Sequence, residues 1–181
     1  MIYIYMVGPP CAGKTEIAKA TSKGVGWEYL STGDIARQHS DPTWEEHMRE
    51  GDLAPENVMD VLVMTELVDR GTRGGGAILV DGYPRYMEQL LDIYNFVDGI
   101  HFFFLITASH QTIEARALAR QREGDDKHAA RMRVWEDRTV PMVDWMRSRG
   151  GVLTINNNDH GPVDDHVTFI SETIVKRILP V

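Results

Sequence analysis

Eight consecutive residues, Gly8-Pro9-Pro10-Cys11-Ala12-Gly13-Lys14-Thr15, fit the pattern G-x-x-x-x-G-K-[ST] without a gap. The chemistry of such a run is phosphate binding. Glycines let backbone N–H groups turn inward around phosphate oxygens. A helix that starts at the end of the run adds roughly half a positive charge. Lys14 supplies a full charge for the outer phosphates, and the Thr15 hydroxyl is a ligand type for Mg2+. The motif points to a nucleoside triphosphate. By itself it leaves a kinase, a GTPase, an ATPase and a transporter subunit all open.

A cradle of this kind works only between a strand and a helix, and the flanking sequence supplies both. Ile2–Val7 is an apolar strand run and Thr15–Lys23 reads as a helix. Trp27–Leu30 is a short strand and Gly33–Gln38 a short helix. Trp44–Glu50 and Glu56–Arg70 follow as helices, the second with Val58, Val61, Leu62, Thr65 and Val68 in a stripe at helical spacing. Ala77–Val80 is a buried strand announced by glycines, Tyr86–Phe96 a helix and Phe102–Ile106 a further buried strand. Gln111–Arg122 and Lys127–Arg149 are helices, the latter interrupted near Pro141. Val152–Ile155 is the fifth strand and Val163–Leu179 the last helix. Continuous apolar strands alternating with helices predict an α/β fold: a P-loop three-layer α/β/α domain around a five-stranded parallel sheet.

Composition limits the partners. The chain has 181 residues, 43% apolar and 25% charged, in proportion with one globular domain, 1–181. Its net charge of −8 argues against nucleic acid and anionic membrane surfaces. Residues 116–149 run against that trend with nine of the nineteen basic groups. Local positive charge in an acidic chain suits a small anionic ligand, although an ion-paired solvated helix face would read the same way. One cysteine excludes an intramolecular disulfide and a four-cysteine zinc site. No apolar run is long enough for a bilayer, and Met1-Ile2-Tyr3-Ile4-Tyr5 carries no basic leader. A cytoplasmic monomer acting on small molecules is the expectation. None of the seven histidines shows metal-ligand spacing, and the four tryptophans read as core or interface.

Three more segments join the cradle. They are Leu30-Ser31-Thr32-Gly33-Asp34 with Arg37, Val80-Asp81-Gly82-Tyr83-Pro84-Arg85 with Gln89, and the Arg116, Arg120, Arg122, Asp125-Asp126, Arg131 cluster. Together, from Ile4 to about Asn158, these residues resemble the adenylate kinase family of nucleoside monophosphate kinases. The resemblance implies a reversible transfer of the ATP γ-phosphate to AMP, giving two ADP, with Mg2+ accompanying ATP. It implies that Arg37 and Arg85 grip the acceptor phosphate, a task suited to planar guanidinium forks. Thr32 and Gln89 would choose the base, since a glutamine amide complements the adenine edge. Relatives that take UMP or CMP usually have Ala and Asn there. Gly51-Asp52-Leu53-Ala54-Pro55 is similar to the family loop that walls the adenine pocket with Leu53 and Ala54. Gly33 would belong to the AMP site, Gly82 would let the acceptor approach the backbone, and Asp81 would order a water on Mg2+. Arg116 would pack on the donor adenine, while Arg120, Arg122 and Arg131 meet the phosphates. Asp125 and Asp126 would pair with lid arginines. Arg133, Arg138, Arg147 and Arg149 have no role in this scheme and read as solvated.

The chain departs from the family at several places. Cys11 stands where Gly is usual, which predicts a strained backbone angle. Glu16 follows Lys14-Thr15 where a phosphate-contacting Thr is usual. The acceptor insertion, 32–60, is short, and the lid, 121–127, is a loop. A short lid excludes less water, so some ATP hydrolysis without acceptor is expected. Two other outcomes remain: a (deoxy)nucleoside monophosphate kinase of other base or sugar preference, such as dAMP, and a nucleotide-binding regulatory protein with little transfer activity.

Overall fold

Along the first strand, alternate residues pack in opposite directions. Tyr3, Tyr5 and Val7 join one buried cluster, and Ile4 and Met6 the other. That two-sided burial explains why the strand reads as an unbroken apolar run. The computed structural model describes residues 1–39, 56–74, 76–119, 125–158 and 162–178, with the backbone alone at 56 and 125–127. The expected helix Trp44–Glu50 lies outside them.

In chain order the elements are β1 (Ile2–Val7), α1 (Lys14–Val25), β2 (Glu28–Ser31), α2 (Thr32–Gln38), α3 (Glu56–Arg73), β3 (Ala77–Asp81) and α4 (Met87–Phe96). Then come β4 (Ile100–Thr107), α5 (His110–Ala119), α6 (Asp125–Val134), a π-helical turn (Trp135–Thr139), α7 (Val140–Ser148), β5 (Leu153–Asn156) and α8 (Val163–Ile178). The five strands form one parallel sheet in the order β2-β3-β1-β4-β5. This is the expected three-layer α/β/α arrangement. Ile17, Ala18, Ile170 and Ile174 place α1 and α8 on one face. Ile35, Val63, Leu67, Leu90, Ile93, Met142 and Met146 place α2, α3, α4 and α7 on the other.

The order puts β1 between β3 and β4, in register at Met6↔Asp81 and Val7↔Leu105. The loops after β1 and β3 therefore leave the carboxyl edge side by side, where open α/β sheets bind ligands. The expected interruption near Pro141 takes a definite form. Pro141 has no N–H for an α-helical bond. Just before it the helix widens into the π-turn, in which the Val140 N–H bonds the Trp135 carbonyl.

At the opposite edge His101 stacks on Tyr3 at 5.3 Å and Tyr5 at 5.9 Å between ring centroids. Its Nε2 lies 3.0 Å from the Val97 carbonyl, which can only accept, so Nε2 carries the proton. Nδ1 is then left to accept from the Tyr5 hydroxyl at 3.3 Å. Burial lowers the pKa of His101 below its ordinary 6.5, against a smaller opposing effect of the Val97 bond. The unfolded chain thus takes up this proton at higher pH than the folded one. The stability tied to neutral His101 is whole above 6.5 and is lost as pH falls toward the folded value. Urea unfolding at about pH 7.5 and about pH 5.5 should show a smaller loss for His101→Phe than for the parent chain.

Candidate active site

The phosphate cradle is shaped by three residues with positive φ: Gly8 at 150°, Cys11 at 61° and Gly13 at 97°. A Cβ at Gly8 would lie 2.2 Å from the Ile106 carbonyl oxygen, and one at Gly13 would lie 2.3 Å from Asn157 Nδ2. Only glycine fits either place. Cys11 is, among the described residues, the one non-glycine with positive φ, which bears out the expected strain. That conformation costs about 1–2 kcal/mol, so the surroundings must hold it. They do so at the next residue. The Ala12 carbonyl accepts from Asn157 Nδ2 at 2.8 Å and from Arg116 at 3.2 Å, and Arg116 also donates to the Asn157 carbonyl at 2.8 Å. The Cys11 thiol lies 3.9 Å from His128 Nδ1.

Lys14 opens α1 and bends back over the loop, where its ammonium donates to the Gly8 and Pro9 carbonyls at 2.7 and 2.8 Å. The ammonium thus stands across the mouth of the cradle. Thr15 donates its hydroxyl to Asp81 Oδ2 at 2.6 Å, and Tyr29 donates to the same oxygen at 3.0 Å. Burial, reinforced by the Asp81 charge, pushes the Tyr29 phenol well above its ordinary value, so it remains a donor. Among the described residues no three His, Cys, Asp or Glu side chains gather to hold a metal. The adjacent Thr15 hydroxyl and Asp81 carboxylate suit Mg2+, which typically takes one or two protein oxygens and fills its other positions with phosphate and water.

Next to the cradle, the turn after β3 builds a second set of polar groups. Gly82 has φ 88°, and a Cβ there would meet Thr32 Oγ1 at 2.6 Å and Arg85 at 3.4 Å. Arg85 Nε donates to the Gly82 carbonyl at 2.8 Å, and its Nη2 to Thr32 Oγ1 at 3.3 Å. Thr32 in turn donates to the Asp81 carbonyl at 3.3 Å. Gln89 Oε1 accepts from the Arg85 backbone N–H at 2.6 Å, while Gln89 Nε2 donates to Asp60 at 2.5 Å. Thr139, in the π-turn, donates to the Arg85 carbonyl at 2.7 Å. Arg37 pairs with Asp34 at the rim.

One cleft of about 820 Å³ joins the two sets. Of the residues singled out from the sequence, it brings together Gly8, Pro10, Cys11, Gly13, Lys14, Thr15, Thr32, Gly33, Arg37, Asp81, Gly82, Arg85, Gln89 and Arg131. Pro9 and Ala12 are buried beneath the loop, and Glu16 is exposed in the first turn of α1. Arg116 braces the cradle through its bonds to the Ala12 and Asn157 carbonyls. Leu53, Ala54, Arg120, Arg122 and the side chains of Asp125 and Asp126 lie outside the described residues.

The expectation that Arg138 is solvated is corrected. Arg138 is half-buried, with its guanidinium 3.9 Å from the centre of the ring of Tyr86, a residue that lines the cleft. Arg149, 4.1 Å from the centre of the Trp145 ring, and Arg147, paired with Asp144, are both exposed, as expected. Sequence reasoning also missed Asn157, Asp60, Tyr86 and Thr139. Asn157 had a signal, an asparagine run directly after a strand. Asp60 had none, because it falls off the apolar stripe of its helix and reads as an exposed acid.

Comparison with known proteins places this geometry. A family model described as an AAA domain matches residues 7–133. An adenylate kinase of Leifsonia xyli subsp. xyli is 33% identical across 97% of this chain and 94% of its own. One of Kocuria rhizophila is 29% identical across 93% and 95%, and one of Nocardia farcinica 31% across 90% and 93%.

The brace on the cradle has a measurable consequence. Asn157→Ala removes a buried donor from the Ala12 carbonyl and should lower the unfolding free energy by about 1–3 kcal/mol in urea.

Proposed function

Because the chain belongs to the adenylate kinase family, and is an ATP-dependent phosphotransferase acting on nucleoside monophosphates, we propose that it transfers the γ-phosphate of ATP to AMP, reversibly, giving two ADP. One observation carries this reading: the Lys14 cradle and the Arg85–Gln89 turn open into the same cleft from adjacent parallel strands, β1 and β3. A sensor needs one phosphate site. Two facing sites suit an in-line transfer between two nucleotides.

In this mechanism the backbone N–H groups of the cradle and Lys14 hold the donor phosphates. Arg85, whose guanidinium is fixed by Gly82 and Thr32, meets the acceptor phosphate, with Arg37 beside it. Phosphoryl transfer asks little of covalent chemistry and much of positioning and charge neutralisation. Arg131 reaches the cleft from α6 and supplies charge from the opposite wall. Arg120 and Arg122 are proposed to join it from the lid, 121–127. Thr15 and Asp81 would hold Mg2+, which when bound neutralises charge on the donor phosphates.

On the acceptor side Thr32 and Gln89 support adenine as the base, with Leu53 and Ala54 of the 32–60 insertion proposed as the pocket wall. No helix among the described residues is long and apolar enough to cross a membrane. A cytoplasmic monomer acting on free nucleotides is part of this proposal.

A coupled assay across ribo- and deoxyribonucleoside monophosphates tests the reading. AMP should be the fastest acceptor; a faster pyrimidine would overturn it. Arg85→Ala should lower kcat/KM for AMP by about a hundredfold or more, with little change in the KM for ATP. Gly82→Ala, which drives a methyl against Thr32 and Arg85 at a φ of 88°, should raise the KM for AMP about tenfold and lower the unfolding free energy by about 1–2 kcal/mol.

A further inference from the structure

Asp60 stands behind Gln89. It belongs to α3 and lines a separate apolar groove of about 430 Å³ between α3 and α4, not the cleft. Its Oδ1 accepts from Gln89 Nε2 and its Oδ2 from the Tyr86 hydroxyl, each at 2.5 Å. At the other end of the same amide, Gln89 Oε1 accepts from the Arg85 backbone N–H at 2.6 Å. A carboxylate can only accept and a peptide N–H can only donate. The Gln89 amide therefore has one permitted orientation. Turned over, it would set its oxygen against Asp60 and its NH2 against the Arg85 N–H. Gln89 is 5% exposed, and an unmade hydrogen bond in so buried a place is costly.

We propose that Asp60 is a positioning residue for base choice: it locks the Gln89 amide in the orientation that accepts a 6-aminopurine and refuses a 6-oxopurine. This role rests on Gln89 facing the acceptor base, as proposed above. Each end of the locked amide keeps one unused capacity, a second N–H on Nε2 and a second lone pair on Oε1. Adenine presents an N6 amino donor beside an N1 acceptor, which matches Oε1 and Nε2 in that order. Hypoxanthine and guanine reverse the pattern, with O6 accepting and N1–H donating. To pair with them in the same pose the amide must turn over, and Asp60 opposes the turn. Tyr86 holds the other carboxylate oxygen in place, and the Arg138 guanidinium, 3.9 Å from the centre of its ring, holds Tyr86. The lock is thus anchored in the π-turn as well as in α3.

Asp60→Asn keeps the shape of the side chain but can either donate to Gln89 or accept from it. The whole chain and this variant are assayed with ATP and either AMP or IMP, alongside thermal unfolding. The variant should keep its kcat for AMP within about threefold, while the AMP:IMP ratio of kcat/KM falls at least about tenfold, chiefly through a lower KM for IMP. A change in unfolding temperature alone would not move that ratio. A folded variant with the ratio of the parent chain overturns the lock and leaves the acceptor assignment standing. A parent chain that does not prefer AMP to IMP overturns the acceptor assignment itself, and the lock with it. Should Asp60→Asn not fold, hydrogen exchange at the Gln89 side-chain amide of the parent chain decides. One protected hydrogen is the expected result, and two freely exchanging hydrogens overturn the proposal.

Discussion

Asp81 ends a central strand and is 6% exposed. A charge so placed persists only where donors replace the water it has lost. The donors come from two different elements: Thr15 at the start of α1 and Tyr29 in β2, both on Oδ2. Its backbone carbonyl accepts from a third, Thr32 at the start of α2. This one residue therefore ties the helix below the cradle, the neighbouring strand and the acceptor turn into a fixed relation. The sheet order makes it possible, because β3 lies between β2 and β1 and the loops from all three meet at one edge.

The cradle shows how strain is tolerated at a binding loop. Its positive φ angles aim the backbone inward, and Cys11 carries a conformation that a glycine would adopt freely. Regular secondary structure does little for such a segment, in which the Ala12 N–H bonds the Pro9 carbonyl at 3.3 Å. Support comes instead from the end of β5 and from α5, through Asn157 and Arg116 on the Ala12 carbonyl. Function and stability divide here between the two sides of one peptide chain. On the proposed reading the inner side faces phosphate, and the outer side is tied to the body of the domain.

The acceptor turn follows the same logic with different partners. Arg85 is held through its backbone N–H by Gln89, through its carbonyl by Thr139, and through its guanidinium by Gly82 and Thr32. In the proposed acceptor role, a guanidinium fixed before the substrate arrives would lose less freedom on binding, which favours the transition state. The π-turn that supplies Thr139 exists because Pro141 interrupts the helix. A local break in hydrogen bonding thereby becomes a tertiary anchor.

The architecture was legible in the sequence because its signals are local. Apolar runs of strand length, helical spacing, and glycines at the turns after β1 and β3 each depend on neighbours within a few residues. The same is true of the strain at Cys11, which follows from a non-glycine in a glycine position of a known loop. What the sequence could not decide is how side chains far apart in the chain complete one another. Asp60 reads as a surface acid until α3 is laid beside α4, and Arg138 as a solvated cation until the π-turn meets Tyr86. The bond from Arg116 to the Asn157 carbonyl, too, forms only when β5 brings Asn157 up to the cradle. A hydrogen bond requires two groups in one place, and only the folded chain puts them there. The type of chemistry is therefore written in the residues, while the partners that orient it are set by the packing of the sheet and its helices.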